Sequence, residues 1–257
     1  MISGLTGAIP ASYVTAMPSL GRLFIHHLGR PVAGGLNHLI ARDSLIGDPE
    51  TFDPGQFAWT GPLAEEWRTV EAELAAYEAL GRAIPSIGDI SPDHDPLDSK
   101  RIWKTLFLYG YGYKVPEHCA HFPRTAELVE QIPGLISAFF SRLMPGAHLY
   151  RHRGPTKSFI TAHLGLRVPP EGVRIRVEDT DHRWEEGKWF IFDDCRWHEV
   201  WNDSDSPRTV LLIHAKRPTQ GLGRAVQSAF LAGVKRTPFV TDAIKGLRAQ
   251  GTAPVPV

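Results

Sequence analysis

The second half of the chain consists of short apolar runs separated by turn-forming segments. Turns rich in proline, glycine and asparagine, such as Pro169–Gly172 and Asn202–Pro207, separate the runs. Closely spaced strands with no helix between them predict a sandwich or jelly roll. The predicted strands are Ile136–Leu143, His148–Arg151, Ser158–Val168, Val173–Val177, Lys188–Phe192, His198–Trp201 and Thr209–Ala215.

Before residue 136, the apolar residues have helical spacing instead. They recur with this spacing at Leu63, Trp67, Val70, Leu74 and Tyr77, and Gly81 ends the predicted helix. The Pro- and Asp-rich residues 82–99 predict a long loop, and a second short helix is expected from Thr125 to Pro133. Gly-Arg-Pro at 29–31 is expected to break any helix in residues 19–41. Helices followed by strands, without linker composition between them, predict one α+β domain.

Composition excludes several classes of protein. The 257 residues carry 28 Lys and Arg, 28 Asp and Glu, and two cysteines. Zero net charge argues against binding of a nucleic-acid polymer through bulk positive charge, and two cysteines exclude a disulfide-rich scaffold. No apolar run of about 18 residues is present, so no transmembrane segment is expected, and the start lacks a signal-peptide pattern. We expect a cytoplasmic protein whose basic ends allow peripheral contact with a membrane.

Twelve histidines are the unusual feature, since imidazole is the commonest metal ligand. His152, His163 and His198 stand in or beside predicted strands, and a jelly roll can bring an early and a late strand together at its mouth. Two imidazoles form the core of many iron sites, usually with a carboxylate two residues after the first histidine, where this chain has Gly154. Arg208 follows His198 across a turn and can hold the distal carboxylate of a dicarboxylic acid such as 2-oxoglutarate.

Longer motifs occur in order over residues 48–218, with the first beginning at Gly47. They are Gly-Asp-Pro-Glu-Thr-Phe-Asp-Pro-Gly-Gln-Phe-Ala-Trp-Thr (47–60), Trp-Lys-Thr-Leu-Phe-Leu-Tyr-Gly-Tyr-Gly (103–112), His-Arg-Gly-Pro-Thr (152–156), His-Leu-Gly-Leu (163–166), Trp-Glu-Glu-Gly-Lys (184–188) and Phe-Asp-Asp with His-Glu-Val-Trp-Asn-Asp (192–203). With these motifs the chain resembles the aspartyl/asparaginyl β-hydroxylase family of iron(II)- and 2-oxoglutarate-dependent oxygenases. It looks most like the bacterial members without the helical-repeat region, a branch that includes hydroxylases of lipid acyl chains.

The resemblance and the strand pattern together predict a mostly β fold with N-terminal helices, a double-stranded β-helix of the jelly-roll or cupin type. Residues 1–47 would form an extension that packs on the core or on a membrane surface. Residues 48–218 would form the oxygenase domain, with its jelly-roll core from about residue 136. Residues 219–257 would form a basic helical tail.

The resemblance also implies an iron site. His152 and His198 would be the catalytic pair that holds Fe(II), with Gly154 at the vacant carboxylate place for which the family is known. Hydrogen-bonding groups usually orient such imidazoles. The candidates near them in sequence are Asp193, Asp194 and Glu199.

A cosubstrate site and an activity are implied as well. Arg208 and Ser141 would bind the distal carboxylate of 2-oxoglutarate, His163 would reach the end near the metal, and Trp103 would line the pocket. With O2, the enzyme would hydroxylate an unactivated aliphatic C–H bond and release succinate and CO2. The substrate would be an anionic small molecule, lipid or peptide, hydroxylated at an aspartyl or asparaginyl β-carbon or on a lipid acyl chain.

One position departs from the family pattern. Family members usually have an arginine two residues before the histidine of His-Leu-Gly-Leu, and Thr161 stands there. We expect either that Lys157 or Arg174 substitutes for that arginine, or that the pocket is reshaped for another substrate. Two other functions stay open: a halogenase that binds chloride at the place by Gly154 and acts on a small anionic substrate such as a nucleotide or amino acid, and a non-catalytic jelly-roll binding module.

Two further clusters contain metal-type ligands. Glu-His-Cys-Ala-His at 117–121 lacks a second pair at zinc spacing, and we expect a structural role. Asp-His-Asp-Pro-Leu-Asp at 93–98 lies in the proline-rich loop outside the strand region. For it we expect structural or solvated roles.

Overall fold

Two antiparallel sheets pack face to face in a computed structural model, which describes residues 29–257, with side chains from residue 34 onward. The strand order is β1-β9-β6-β11-β4-β2-β3-β12 in the large sheet and β5-β10-β7-β8 in the small sheet. This arrangement confirms the predicted jelly roll. The strands are β1 Thr51–Phe52, β2 Trp103–Gly110, β3 Tyr113–Lys114, β4 Leu135–Leu143, β5 Ala147–His152, β6 Phe159–Arg167, β7 Val173–Val177, β8 Thr180–His182, β9 Trp189–Phe192, β10 His198–Asn202, β11 Arg208–Lys216 and β12 Val255–Pro256.

The large sheet has a hydrophobic core on each face. Along β11, Val210 and Leu212 pack between the two sheets, whereas Leu211 and Ile213 pack on the other face. The helices are α1 Gly29–Arg42, α2 Thr60–Glu65, α3 Trp67–Ala79, α4 Ile87–Ile90, α5 Pro116–Cys119, α6 Pro123–Glu130, α7 Gly221–Val234 and α8 Pro238–Ala249. Helices α2, α3, α5 and α6 contribute to the core on that other face, whereas α1 packs on α7 and α4 on α8. A side chain that points between the sheets is therefore removed from water by protein on both sides.

The prediction that the jelly-roll core starts at about residue 136 is wrong. Strand β2, Trp103–Gly110, pairs with β4 inside the large sheet. Leu106 and Leu108 face the helical core, whereas Trp103 and Phe107 pack between the sheets. A strand covered on both faces lacks the alternation of apolar and polar residues from which strands are recognised.

Three helical predictions also need correction. The helix predicted over Leu63 to Gly81 is interrupted at Glu66, which separates α2 from α3. Gly-Arg-Pro at 29–31 does not interrupt the described helix, because it lies in the first turn of α1, where proline is tolerated, and residues 19–28 lie outside the described residues. The predicted loop at 82–99 contains α4, capped reciprocally by Ser86 and Asp89, and a short 3-10 turn at Pro92–His94.

The two ends of the described chain pack on the jelly roll. Helix α1 lies against α7, where the Gly223 N–H donates to Asp43 Oδ2 at 2.7 Å. The predicted helical tail forms α7 and α8, and α8 packs on α4 through Val240, Ile244 and Leu247. Residues 1–28 of the predicted extension lie outside the described residues, and the domain limits remain predictions. None of the helices in the part of the chain that the structure describes is long and apolar enough to cross a bilayer.

Candidate metal and cosubstrate site

His152 and His198 face each other at one end of the small sheet, with ring centroids 4.1 Å apart. A β-bulge produces this pairing: Val200 lies opposite Leu149 and His198 opposite His152, so β5 has one more residue than β10 between the two pairs. Strict alternation would turn His152 away from the face that carries Leu149. The extra residue turns it back toward the interior.

Both imidazoles are in the form that binds a metal. His152 Nδ1 lies 2.7 Å from the Tyr150 carbonyl oxygen, and His198 Nδ1 lies 3.0 Å from that of Arg196. A carbonyl only accepts, so each Nδ1 carries the proton and each Nε2 keeps its lone pair. Burial lowers the pKa of His152, and burial together with His152 lowers the pKa of His198 to about 3. Two neutral imidazoles are therefore available as ligands.

The space beside Gly154 is taken by another carboxyl group. A Cβ placed on Gly154 would stand 2.6 Å from the Asp194 carboxyl carbon and from both its oxygens. The Gly154 N–H donates to the Asp194 carbonyl at 2.7 Å and holds the two segments together. Burial, and then the neighbouring Asp193, raises the pKa of Asp194 to about 8. Asp194 is thus the carboxyl group nearest the place that the family resemblance marks as vacant.

The other two candidates for orienting the imidazoles point elsewhere. Asp193 accepts a hydrogen bond from buried Arg217 at 2.7 Å and pairs with Lys157. Glu199 pairs with His148 Nε2 at 2.6 Å. Asp193, Asp194 and Cys195 are close enough to share a cation, but the Asp193 carboxylate is already neutralised by two basic groups.

Arg208 is a buried cation that has no carboxylate partner in the described part of the chain. Its residue is 3% exposed, and its Nε and Nη1 have no hydrogen-bond partner among residues 34–257. The guanidinium stacks over Trp184 at 4.3 Å, and burial lowers the pKa of Arg208 to about 9. An unpaired buried charge is costly, so this position calls for an anion.

Donors for the same anion lie on neighbouring strands. Trp184 Nε1 donates to His163 Nδ1 at 3.1 Å, which leaves the ring proton on His163 Nε2, a buried atom with no partner in the described part of the chain. Trp103 Nε1 donates to Ser141 Oγ at 2.9 Å, so the Ser141 hydroxyl can donate onward. These donors, with the Arg208 guanidinium, fit a dicarboxylate such as 2-oxoglutarate.

The cross-strand register explains why these donors meet. Strand β11 lies between β4 and β6, and Val210 is opposite Ser141 whereas Leu212 is opposite His163. Arg208 shares the inward face of β11 with Val210 and Leu212. The structure therefore brings together His152, His198, Gly154, His163, Ser141, Trp103 and Arg208 within the interior of one jelly roll.

Neither cation proposed to replace the missing arginine reaches this interior. Lys157 pairs with Asp48 at 2.6 Å and with Asp193. Arg174 pairs with Asp203 at 2.9 Å on the outer face of the small sheet. The Thr161 hydroxyl lies instead beside the Asp194 carboxyl. Lys157 and Arg174 are thus each engaged by carboxylates, and a pocket reshaped at Thr161 stays a prediction.

Two antiparallel sheets packed face to face, with two neutral imidazoles at one end of the small sheet, define a jelly roll of the cupin type. Among solved structures, the chain is similar to the Schizosaccharomyces pombe Cnp3 cupin domain, with 15% identity and a TM-score of 0.31 over 44% of this chain and 64% of that one. It is also similar to a cupin domain of an XRE family transcriptional regulator from Enterobacter cloacae, with 14% identity and a TM-score of 0.32 over 45% of this chain and 99% of that one.

The family is established by sequence. Residues 64–218 match the family model of aspartyl/asparaginyl β-hydroxylase. The chain is 35% identical over 201 residues to the ornithine lipid ester-linked acyl 2-hydroxylase of Rhizobium tropici, covering 77% of this chain and 72% of that protein. It is 36% identical over 163 residues to human aspartyl/asparaginyl β-hydroxylase, covering 61% of this chain and 21% of that protein. The chain belongs to the aspartyl/asparaginyl β-hydroxylase family.

This membership confirms the predicted resemblance and the prediction of a hydroxylase rather than a binding module. Membership implies dependence on Fe(II) and 2-oxoglutarate.

Sequence reasoning missed two parts of the site. Trp184 stood in the sequence only as part of a family motif, although it donates to His163. Structural or solvated roles were expected for the segment with His94, although His94 contacts Trp103. No local sequence pattern predicts either contact, because each one joins residues that are far apart in the chain or that lie in irregular segments.

Proposed function

We propose that this hydroxylase acts on a lipid acyl chain, at the carbon next to an ester carbonyl, and holds Fe(II) through His152 and His198. The buried, unpaired guanidinium of Arg208 carries the cosubstrate part of the proposal, because 2-oxoglutarate supplies the missing anion. The substrate part is supported by the similarity to the Rhizobium tropici lipid hydroxylase over 72% of that protein.

The chain's own residues provide binding, orientation and protection from water. His152 and His198 offer their Nε2 lone pairs, and the backbone carbonyls on Nδ1 fix the ring orientations. Arg208, Ser141 and His163 donate hydrogen bonds to the cosubstrate carboxylates. O2 would be the oxidant: Fe(II) held there would activate it, 2-oxoglutarate would supply two electrons on decarboxylation to succinate and CO2, and one oxygen atom would enter succinate while the other enters the C–H bond. The two facing sheets exclude water from the reacting groups.

The position of Asp194 favours hydroxylation over halogenation. A chloride ion would have to occupy the place by Gly154, and the Asp194 carboxyl already fills the adjoining space.

The test is turnover by the purified protein with Fe(II), 2-oxoglutarate and air. Three substrates are compared: an ornithine lipid with an ester-linked acyl chain, an aspartyl peptide, and none. We expect the lipid alone to gain the mass of one oxygen atom, with matching release of succinate. Oxidation of the peptide instead, or gain of chlorine in a chloride buffer, contradicts the proposal. His152→Ala is the inactive control, and His121→Leu, at a distant histidine packed on Tyr77, is the active one.

A further inference from the structure

His94 lies at the wall of the candidate site and not in a solvated loop. The half-buried imidazole packs edge-on to Trp103 with ring centroids 5.9 Å apart, and against Phe239 of α8 at 5.8 Å. It is near enough to His152 and to His214 for electrostatic interaction with both. The turn at Pro92–His94 therefore presents this side chain toward the proposed metal ligands.

The hydrogen bonding of His94 leaves one N–H free. Buried Ser91 has its hydroxyl 2.9 Å from His94 Nδ1, and no other partner for that hydroxyl exists among the described side chains. A buried hydroxyl donates where it can, so Ser91 donates to Nδ1 and the ring proton is on Nε2. His94 Nε2 has no hydrogen-bond partner in residues 34–257. Burial lowers the pKa of His94 to about 4, so the ring is a neutral donor.

His214 is a second neutral imidazole on the same interior. It lies on β11 opposite Thr161, the residue beside Asp194. Its ring packs between Phe159 at 4.7 Å and Phe139 at 6.0 Å. Nδ1 of His214 is buried without a partner in the described structure. Burial lowers the pKa of His214 to about 3.

Aromatic rings surround the two histidines. Phe107 stacks on Phe139 at 4.5 Å, and Tyr111 packs edge-on to Phe239 at 5.2 Å. The charged groups that act on His94 are Asp93 and Asp98, with no described lysine or arginine among them. Such surroundings disfavour a carboxylate ligand and suit an uncharged acceptor attached to an apolar chain.

We propose that His94 forms a subsite for the ester carbonyl of the substrate, with its free N–H donating to the carbonyl oxygen, while the His214 ring and the aromatic rings around it contact the acyl chain. The inference rests on the proposed function and names the group that is recognised. Anchoring the carbonyl places the adjacent carbon, the one hydroxylated in an acyl 2-hydroxylase, at a fixed distance from the metal ligands.

The test measures binding by the metal-free protein, so that it is independent of turnover. The probes are a short-chain ornithine lipid with an ester-linked outer chain and its ether analogue, which lacks only that carbonyl. Intrinsic tryptophan fluorescence reports both dissociation constants. For the wild-type protein we expect the ester to bind about tenfold more tightly, the value of one hydrogen bond.

His94→Leu should reduce the ester preference to about one, whereas His94→Gln, which places an amide N–H near the Nε2 position, should keep most of it. His214→Leu should weaken both ligands less than threefold, and His121→Leu should change neither. A merely structural role of His94 would weaken ester and ether together. That result, or an unchanged preference in His94→Leu, overturns the subsite.

If His94→Leu does not fold by circular dichroism, His94→Asn replaces it, because its amide reaches only the Nδ1 position. Equal preference in the Asn and Gln variants then overturns the proposal. Failure of the proposed function is distinguished separately, since it shows as no hydroxylated lipid from the wild-type protein with Fe(II), whatever the binding preference.

Discussion

The indole N–H of Trp184 donates a hydrogen bond of 3.1 Å to Nδ1 of His163 inside the jelly roll. The same indole ring lies 4.3 Å beneath the Arg208 guanidinium. One side chain therefore fixes the tautomer of one proposed cosubstrate ligand and the position of another.

Replacing Trp184 by Phe removes the donor but keeps an aromatic ring under Arg208. We expect the dissociation constant for 2-oxoglutarate to rise about tenfold, because His163 Nδ1 loses its partner and its Nε2–H is no longer fixed. Isothermal titration calorimetry measures this. Trp189→Phe is the matched control: its Nε1 donates to Thr60 O at 2.9 Å on the helical side of the sheet, so cosubstrate affinity should not change.

Arg208→Met should separate binding from stability. Loss of charge-assisted hydrogen bonds of about 3 kcal/mol raises the dissociation constant for 2-oxoglutarate about 100-fold. The cofactor-free variant should nevertheless have a higher Tm than the wild-type protein, because an unpaired buried charge is gone.

Arg167→Met is the control for that variant, since Arg167 is paired with Glu71 at 2.6 Å and Glu78 at 2.7 Å. It should lower Tm and leave cosubstrate affinity alone. A lower Tm in Arg208→Met would show that Arg208 is already satisfied in the free protein.

We expect a methyl group at residue 154 to clash with the Asp194 carboxyl group. Gly154→Ala places a Cβ 2.6 Å from that carboxyl group, and overpacking of this kind costs about 1–3 kcal/mol of unfolding free energy. Adding Asp194→Ala removes the obstruction, so the double variant should be more stable than the sum of the single effects. Urea unfolding of the four proteins measures the coupling. Additive effects would mean that Asp194 moves aside freely.

The metal-free protein should lose stability in mild acid. The pKa values of His94, His198 and His214 are lowered by burial to about 4, 3 and 3, so between about pH 4 and 6.5 the unfolded chain binds protons that the folded chain does not. Stability contributed by each ring is present above pH 6.5 and falls by about 1.4 kcal/mol per pH unit below it. Asp194 has the opposite effect, because its pKa is raised to about 8 and the folded chain then binds one proton that the unfolded chain does not.

His214→Phe should therefore reduce the slope of unfolding free energy against pH by about one proton between pH 6 and 5. Urea unfolding at several pH values gives the slope. His38→Phe, at an exposed position of α1, serves as the control. Equal slopes in wild type and His214→Phe would contradict the assignment of a neutral buried ring.

Strands with one buried face could be predicted from sequence because their alternation is strict. In β10, His198, Val200 and Asn202 are buried while Glu199 and Trp201 are less so. The family motifs added the metal and cosubstrate residues. Strand β2 has both faces covered and lacks this alternation. Strands β4, β6 and β11 lack it too and were predicted from continuous apolar runs between turns, whereas β2 was quoted only as a family motif.

The bulge in β5 and the position of His94 were beyond sequence reasoning for another reason. Period-two alternation puts Leu149 and Arg151 on one face and His152 on the other, and only the pairing with β10 reveals the extra residue. His94 depends on contacts with Phe239 on the last helix, which no local pattern encodes.

The proposed metal ligands belong to the small sheet, and the proposed cosubstrate ligands belong to the large one. Core residues such as Ile175, Val200 and Leu212, which are not ligands themselves, set the space between the metal ligands and the cosubstrate ligands. Facing sheets stand about 10 Å apart, a distance that side-chain volume adjusts. Enzymes of this architecture can therefore change the length of acid that bridges metal and arginine by altering core volume, while every ligand stays the same.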